Sequence, residues 1–473
     1  MISLRLFWFL ALLTLAVPVV AQDLPAVLSE DDFLELVYQH HPLSVRADLQ
    51  RERAEAVMLS ARGFFDPKIY GDLSQKYFKG TRYYSVIEGG VKVPTWFGIE
   101  LNAAYERNDG YYLNPEHNVP ESGLYAAGLT ASLGQGLMFD ERRAELRRAQ
   151  VYRQATVAER LILLNELLYS AGQIYWEWAG AAAALEVYDD ALVAARQRYA
   201  AVLAEAQSGN RPAIDTLEAR ILVQNRQLGR ETALLDLANA RARMNAYLWI
   251  DGVVPVELEP TTLPRPIDEV AVAALVSATP QPVDDNPLLT RTRLKIADLE
   301  IDERLQREYL KPQVDVKYNA LLAGGVDDPI QELSGNNYKW GVTVRQPLLL
   351  RKERGKLALT RVKLSETQLE LSDKIADIEA KITAATNEVN ATADQYVLAV
   401  RNADDYSQLL EGERTLFRGG ESSLFLVNNR EVSFIDAQLK RVELMVKHRK
   451  ARLTRSFAVG RIPVVGDAVS PSE

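Results

Sequence analysis

The chain has 473 residues, a formal net charge of −9, four histidines, five methionines and no cysteine. Its acidity argues against nucleic acid as a partner. The lack of cysteine excludes disulfides, thiolate metal sites and a lipid anchor on an N-terminal cysteine, and the few scattered methionines give no support to a copper or silver pathway.

Residues 1–21 read as a secretory signal, with Arg5, an apolar run from Leu6 to Val20 and Val19-x-Ala21 as a cleavage site. That run is about 15 residues, short of the roughly 20 that span a bilayer as helix. The mature chain is therefore expected to begin near Gln22 outside the cytoplasm. No later apolar run approaches this length, so helical membrane spans are not expected. A short amphipathic helix follows between Ser29 and Gln39, with Asp31 and Asp32 near its first turn and Phe33, Leu36 and Val37 on one face. His40 and His41 are adjacent, do not share a helix face, and read as a polar helix end before Pro42 rather than a metal site. A helix of about 25 residues then ends before Pro67, because a residue preceding proline resists helical geometry.

Period-two patterns come next. Ile69, Gly71, Leu73 and Tyr77 mark one strand, and Leu129, Ala131 and Leu133, alternating with Thr130 and Ser132, mark another. Two more candidates lie between them, Tyr83 to Val93 and Ile99 to Glu106. In the second half, Val314, Val316, Tyr318 and Ala320 alternate with Asp315, Lys317 and Asn319, and Tyr338, Trp340, Val342 and Val344 alternate with polar residues in the same way. Beyond Asp140 and Lys352 the period becomes helical, through Leu161, Leu164, Leu168, Ala171, Tyr175 and Trp178 in the first half and Leu364 to Ala399 in the second. Both runs continue without proline to Gly209-Asn210-Arg211-Pro212 and Gly419-Gly420-Glu421-Ser422. Glycine past one helix and proline early in the next mark an antiparallel turn. About 67 residues of helix correspond to roughly 100 Å.

The halves are duplicates. Pro42 and Pro67 recur as Pro287 and Pro312 at an offset of 245 (287−42 and 312−67), and Gln135 and Gly209 recur as Gln346 and Gly420 at an offset of 211 (346−135 and 420−209). Each half thus has 74 residues between its glutamine and its glycine. The first half is longer only between those stretches, by 34 residues (68−34), about two strands and a turn. The expected organisation is a signal peptide over 1–21 and a first repeat over 22–253, with strands about 65–138 and a helical hairpin about 140–249. A Pro-rich linker and equatorial segment covers 254–286, and Pro266 to Ala278 reads as a counterpart of the first short helix. The second repeat covers 287–459, with strands about 312–350 and a hairpin about 351–459, and 460–473 reads as a loose tail.

The signal, strand runs of about 10 residues and aromatics near their ends (Tyr77, Phe78, Tyr83, Tyr84, Trp96, Trp340) favour an outer-membrane barrel. Single-chain barrels need about eight strands or more, and an unpaired edge finds no partner in lipid. Four to six strands per chain therefore require several chains in one barrel. At this point the chain resembles a TolC-family outer membrane factor, over essentially its whole mature length. The resemblance is carried by the duplicated helix-strand-strand-hairpin order and by Gln346-Pro347-Leu348-Leu349, with Gln135-Gly136-Leu137-Met138 as its first-half counterpart. The tip segments Gly209 to Asp215 and Gly420 to Leu424 carry it too.

The resemblance implies an α+β membrane protein: a homotrimer in which a coiled-coil tunnel joins a transmembrane β-barrel built by all three protomers. It implies a passive exit duct of a tripartite efflux pump or type I secretion system, in the cell outer membrane with most of the chain in the periplasm. The implied partners are outer membrane lipid, a periplasmic adaptor (membrane fusion) protein and an inner-membrane pump of RND, MFS or ABC type, with no nucleic acid. Family members give four strands per chain, so the 34-residue excess allows six strands per chain, longer bent strands or an external flap. Pro67 and Pro312 are the helix-to-strand boundaries, and Gln135, Gln346 and Pro347 the strand-to-helix motif. The family's helical tip often carries aspartates, and Asp215 matches the first-half one. The second-half positions six and nine residues after Gly420 hold Leu426 and Asn429, so a constriction lined by these two, with Asp215 as hydrogen-bond partner and Gly209 and Gly420 turning the hairpins, is expected. The alternative is that Leu426 packs within the hairpin and Asp215 caps or solvates a helix start. No phosphate-binding glycine loop, nucleophile elbow, metal site or cofactor site is found, and no enzyme is expected. A soluble periplasmic coiled-coil adaptor or scaffold is the other functional reading.

Overall fold

The computed structural model describes residues 25–266, 283–325 and 335–462. The signal segment, the counterpart helix beyond Pro266, the middle of the 324–337 loop and the tail beyond Ile462 lie outside the described residues. The elements are β1 (Val27–Leu28), α1 (Glu30–His40), α2 (Pro42–Arg62), β2 (Lys68–Phe78), β3 (Thr81–Pro94), β4 (Ile99–Asp109), β5 (Leu124–Ser132), α3 (Glu141–Gln207) and α4 (Ala213–Asn245). They continue as β6 (Trp249–Ile250), β7 (Val254–Pro255), β8 (Leu263–Pro264), α5 (Pro287–Glu308), β9 (Gln313–Ala323), β10 (Tyr338–Arg345), α6 (Arg351–Arg418) and α7 (Leu424–Val459). Among the described residues no helix is long and apolar enough to cross a membrane.

The helices form four rods. α3 and α6, of 67 and 68 residues, are each continuous. The other two rods are each spliced from two helices. Where α7 ends and α5 begins, Asn286 Nδ2 donates to the carbonyls of Ala458 and Val459 at 3.1 and 3.2 Å, while its Oδ1 accepts from the Leu288 amide at 3.0 Å. One side chain thereby satisfies the C-terminus of one helix and the N-terminus of the next, where backbone groups lack intrahelical partners. Where α4 ends and α2 begins, His41 Nδ1 caps Leu43 at 3.1 Å and its ring lies 5.6 Å from that of Tyr247. Pro42 and Pro287 occupy the first helical position after these caps, where a missing N–H costs nothing.

Neighbouring contacts order the rods. On the tip side of the splices α4 packs on α3, α3 on α7 and α7 on α6; on the sheet side α2 packs on α3, α3 on α5 and α5 on α6. The seams are lined by small residues, among them Ala144, Ala149, Ala158, Ala191 and Ala195. Close approach leaves no room at Gly172, where an added Cβ would meet Leu453 at 2.7 Å, or at Gly180, where it would meet Val446 at 2.7 Å.

Bulky side chains gather at the splices. Phe33, Leu34 and Val37 of α1 enter a core with Tyr175, Trp176, Trp178, Met244 and Leu248, and Leu36 packs against its edge. Ser29 begins α1 with a capping box to Asp32, which satisfies two otherwise orphaned amides. Tyr175 O–H donates to the Leu28 carbonyl at 3.1 Å and Trp176 Nε1–H to Glu30 at 2.8 Å. Burial pushes the Glu30 carboxyl above its ordinary range. The Pro-rich stretch after Val254 takes part: β8 pairs in parallel with β1, and Leu258 is buried in the same core. At the start of the segment read as a tail, the Ile462 amide donates to Asn165 Oδ1 at 3.0 Å and its side chain is buried.

The six long strands form one antiparallel sheet in the order β2-β3-β4-β5-β9-β10. β2 follows α2 as β9 follows α5, and β5 precedes α3 as β10 precedes α6. β3 and β4 are therefore the hairpin that accounts for the longer first half. Its two strands pair with β2 on one side and β5 on the other, so it lies inside the sheet and does not hang from it.

His448 of α7 is buried in the α6–α7 seam, with Nδ1 3.2 Å from Thr392 Oγ1 and Nε2 without a hydrogen-bond partner. Burial, then the charges of Arg452 and Arg449, lower its pKa below the ordinary histidine value. A lowered folded-state pKa means that the unfolded chain binds the proton first. Stability is therefore full above about pH 6.5 and declines as pH falls through the lowered value. The melting temperature of the detergent-solubilised protein should fall between pH 7 and pH 5, and fall less in His448→Leu; equal slopes would remove His448 as a cause.

Candidate functional site

The sheet separates polar from apolar residues by register. Residues directly paired across antiparallel strands share a face, so rows can be followed across all six strands. One row reads Ile69, Val91, Ala103, Ala127, Ala320 and Tyr338, and a neighbouring one Val93, Leu101, Leu129, Tyr318 and Trp340. The row between them, on the opposite face, reads Lys68, Lys92, Asn102, Gly128, Asn319 and Lys339. The apolar face stands open: Ile69 is 87% exposed, Leu73 70% and Trp340 64%. Apolar side chains so exposed over six adjacent strands form a far larger patch than soluble proteins tolerate without a partner.

The polar face is knitted together at the boundary of the repeats. Asn102 Nδ2 on β4 donates to Asn319 Oδ1 on β9 at 3.0 Å, passing over Gly128 of β5. A Cβ at Gly128 would collide with the Tyr318 carbonyl and with Asn319, so glycine is required for this bond. Aromatic pairs mark both ends of the strands. At the helical end Trp96 stacks on Phe65 at 4.7 Å, and at the far end Tyr83 meets Tyr112 at 4.6 Å and Tyr105 meets Tyr125 at 4.8 Å.

The strand-to-helix motifs lie at the helical end of the sheet. The Gln135 amide donates to the Pro312 carbonyl at 2.8 Å, which brings together a residue from each repeat. Asp140 caps α3, and Arg143 gathers the carbonyls of Gly136, Leu137 and Met138 at 2.6, 3.0 and 3.1 Å. In the second repeat Gln346 and Pro347 precede Leu350, a non-glycine residue in the left-handed region with φ 47°. Pro67 stands exposed between α2 and β2.

The hairpin turns fall at Gly209 and Gly420, both left-handed with φ 80° and 78°. Asp215 lies in the first turn of α4 and accepts from Arg211 Nη1 at 3.4 Å; Arg211 also pairs with Glu205 and lies 4.4 Å from the Phe417 ring centroid. That contact and the cluster of Val202, Ala219, Leu424, Tyr199 and Phe417 join the two hairpin tips. Leu424 and Val427 are buried, whereas Leu426 and Asn429 are exposed on the first turns of α7. Within the chain Leu426 is 39% exposed, and Asp215 is bonded to Arg211.

One group of tip residues was not expected from sequence. Arg198 Nη1 donates to Asn428 Oδ1 at 3.0 Å, Asn428 Nδ2 to Glu218 Oε1 at 2.8 Å, and Arg198 pairs with Glu431, which is 2% exposed. The network ties α3, α4 and α7 together about three turns from the tip. Its only trace in the sequence is a glutamate in an apolar stripe, since Leu424, Val427, Glu431 and Ile435 share one face of α7. Among the described residues no group of three or more histidine, aspartate and glutamate side chains is placed to hold a metal ion.

No family model and no curated protein sequence matches the chain. Solved structures do. It is similar to the open state of the Neisseria gonorrhoeae MtrE outer membrane channel (TM-score 0.66, 12% identity, 91% of this chain and 89% of that one). It is also similar to the outer membrane protein VceC of Vibrio cholerae (TM-score 0.63, 14% identity, 91% and 96%). A third match is the Campylobacter jejuni CmeC outer membrane channel (TM-score 0.60, 13% identity, 91% and 85%). The chain shares the fold of these outer membrane channels, mixed long helices and one antiparallel sheet.

Proposed function

We propose that the protein is an outer membrane channel that acts as a passive exit duct, three copies joining into one barrel and one periplasmic tunnel. The observation that carries this reading is the six-stranded sheet, with apolar rows across one face, a polar row on the other, and both edges open. Strands of 8–14 residues, at about 3.4 Å each and tilted about 40°, rise roughly 20–35 Å, which suits a lipid-facing band of about 25 Å. β2 and β10 end the sheet, and lipid offers nothing to their unpaired backbone groups.

The helical flanks support the same ring. α4 and α6 lie at opposite sides of the chain, and each carries an apolar stripe facing away from its neighbours. On α4 it is Ile214, Leu217, Ile221, Leu228 and Leu235; on α6 it includes Leu359, Val362, Leu369, Leu398, Leu409 and Leu416, all exposed. The α4 positions step by three, four, seven and seven residues, the spacing of a coiled-coil seam. The α4 stripe of one copy fits the α6 stripe of the next, an arrangement that generates a ring.

In this reading the tip is the gate. Leu426 and Asn429 line the constriction, Asp215 is a hydrogen-bond partner within it, and a periplasmic adaptor and an inner-membrane pump of RND, MFS or ABC type open it and supply the energy. A ring of leucines opposes ion passage by dewetting, whereas a ring of carboxylates binds cations. The soluble adaptor or scaffold reading leaves the exposed apolar sheet face without a role.

Carbonate extraction of membranes should leave the protein in the pellet; release into the supernatant would end the channel reading. In planar bilayers the purified channel should resist block by trivalent cations from the periplasmic side, and Leu426→Asp should introduce it. Strong block of the unaltered channel would instead remove the leucine constriction. Opening also has to unsettle the Arg198 network. Arg198→Met leaves Glu431 buried without a partner, at a cost of about 3–5 kcal/mol. Amide exchange over 198–218 and 424–435 should accelerate in that variant and largely recover in Arg198→Met/Glu431→Leu; unchanged exchange in the single variant would show that the pair does not hold the tip.

A further inference from the structure

At ordinary strand and helix spacings, six strands and four rods cover similar widths, which bears on how many strands enter the barrel. Six strands spaced about 4.8 Å apart and tilted about 40° cover roughly 38 Å of circumference. Four rods at about 8–10 Å spacing cover roughly 32–40 Å. Four strands would cover only about 25 Å. The match holds per copy, whatever the number of copies.

We propose that all six strands enter the barrel, eighteen in a trimer, with β2 of one copy pairing antiparallel to β10 of the next, so that barrel and tunnel join without a taper. The proposal rests on the duct reading for the lipid-facing ring itself, and adds how that ring is built. Three features of the chain carry it. The inserted hairpin is bonded on both sides, β3 to β2 and β4 to β5, so it cannot leave the sheet as a flap without breaking two ladders. One apolar row runs unbroken from Ile69 on β2 to Tyr338 on β10, and removing β2 and β3 from the barrel would strand the exposed Ile69 and Leu73 in water. Each edge strand is also tied to its own flank, since α2 leads into β2 and β10 leads into α6; closing the helical ring brings these two edges together.

Eighteen strands at that tilt give a backbone radius of about 18 Å, against about 12 Å for twelve. Barrels of 16–18 strands leave an aqueous channel. The membrane end of this duct is then no narrower than its tunnel, and restriction falls to the helical tip.

The chain has no cysteine, so introduced pairs report without background. Leu73→Cys combined in turn with Trp340→Cys, Val342→Cys and Val344→Cys places thiols on the outward face of β2 and β10. Oxidation in outer membranes should yield covalent trimers for at least one pairing. Electron microscopy of the purified particle should show eighteen strands around the barrel. Deleting residues 81–114, which removes β3 and β4, should narrow the barrel to twelve strands while the tunnel keeps its width. A twelve-stranded barrel in the full-length chain, or β2 thiols that stay free while the barrel is closed by other strands, would overturn the proposal and leave the duct reading standing. A particle with no ring at all would overturn both.

Discussion

A sheet with apolar rows across one face can be covered by lipid, but its two edges cannot. Each strand within it satisfies its backbone through its neighbours, whereas β2 and β10 each present a row of unpaired groups, and in hydrocarbon every such group costs several kcal/mol. In the proposed channel, much of the architecture answers this constraint. The edges are joined covalently to the helical flanks, so whatever closes the sheet closes the wall as well. The flanking helices α4 and α6 carry apolar stripes on the side away from their own hairpin partners, while α3 and α7, in the middle, bury theirs within the chain.

Equal length of the repeats follows from the same geometry. Helices that start at one sheet and end at one tip must be equally long, and α3 and α6 differ by a single residue. The sheet has no such requirement along its width, where an added hairpin preserves the alternation of up and down strands. The other two rods are assembled from shorter helices whose ends are satisfied by Asn286 and His41. The aromatic core sits beside these splices because only there does the chain leave the rods and provide a third layer. Along the rods themselves alanine seams suffice, since two helices in close contact leave no volume for larger side chains.

At the tip the balance shifts from packing to charge. Arg198 and Glu431 lie in a seam position, where truncating one partner costs far more than the pair contributes. Such a network favours one arrangement of the two hairpins over others. Arg211 adds a softer link, paired with Glu205 and Asp215 and stacked on Phe417 at partly exposed positions where ion pairs contribute about 1 kcal/mol or less.

Periodicity made the elements legible. The switch from period two to period three-four at Asp140 and Lys352, the prolines that open α2 and α5, and the glycines at 209 and 420 all act over a few residues. Constant spacing over the duplication set the two longest helices and located the mismatch. Pairing between residues far apart left no such trace. Whether the extra hairpin stood inside or beside the sheet depended on ladders between strands, which local alternation cannot encode because every register shifted by two residues shows the same pattern. The Asn102–Asn319 bond over Gly128 and the Arg198–Glu431 pair join residues more than 200 positions apart. Asn286 and Ile462 looked like linker and tail until their partners on α7 and α3 were in place. The chain by itself determined the lengths, periods and order of its elements; the tertiary structure alone decided which edges, faces and charges met, because those are properties of distance in space.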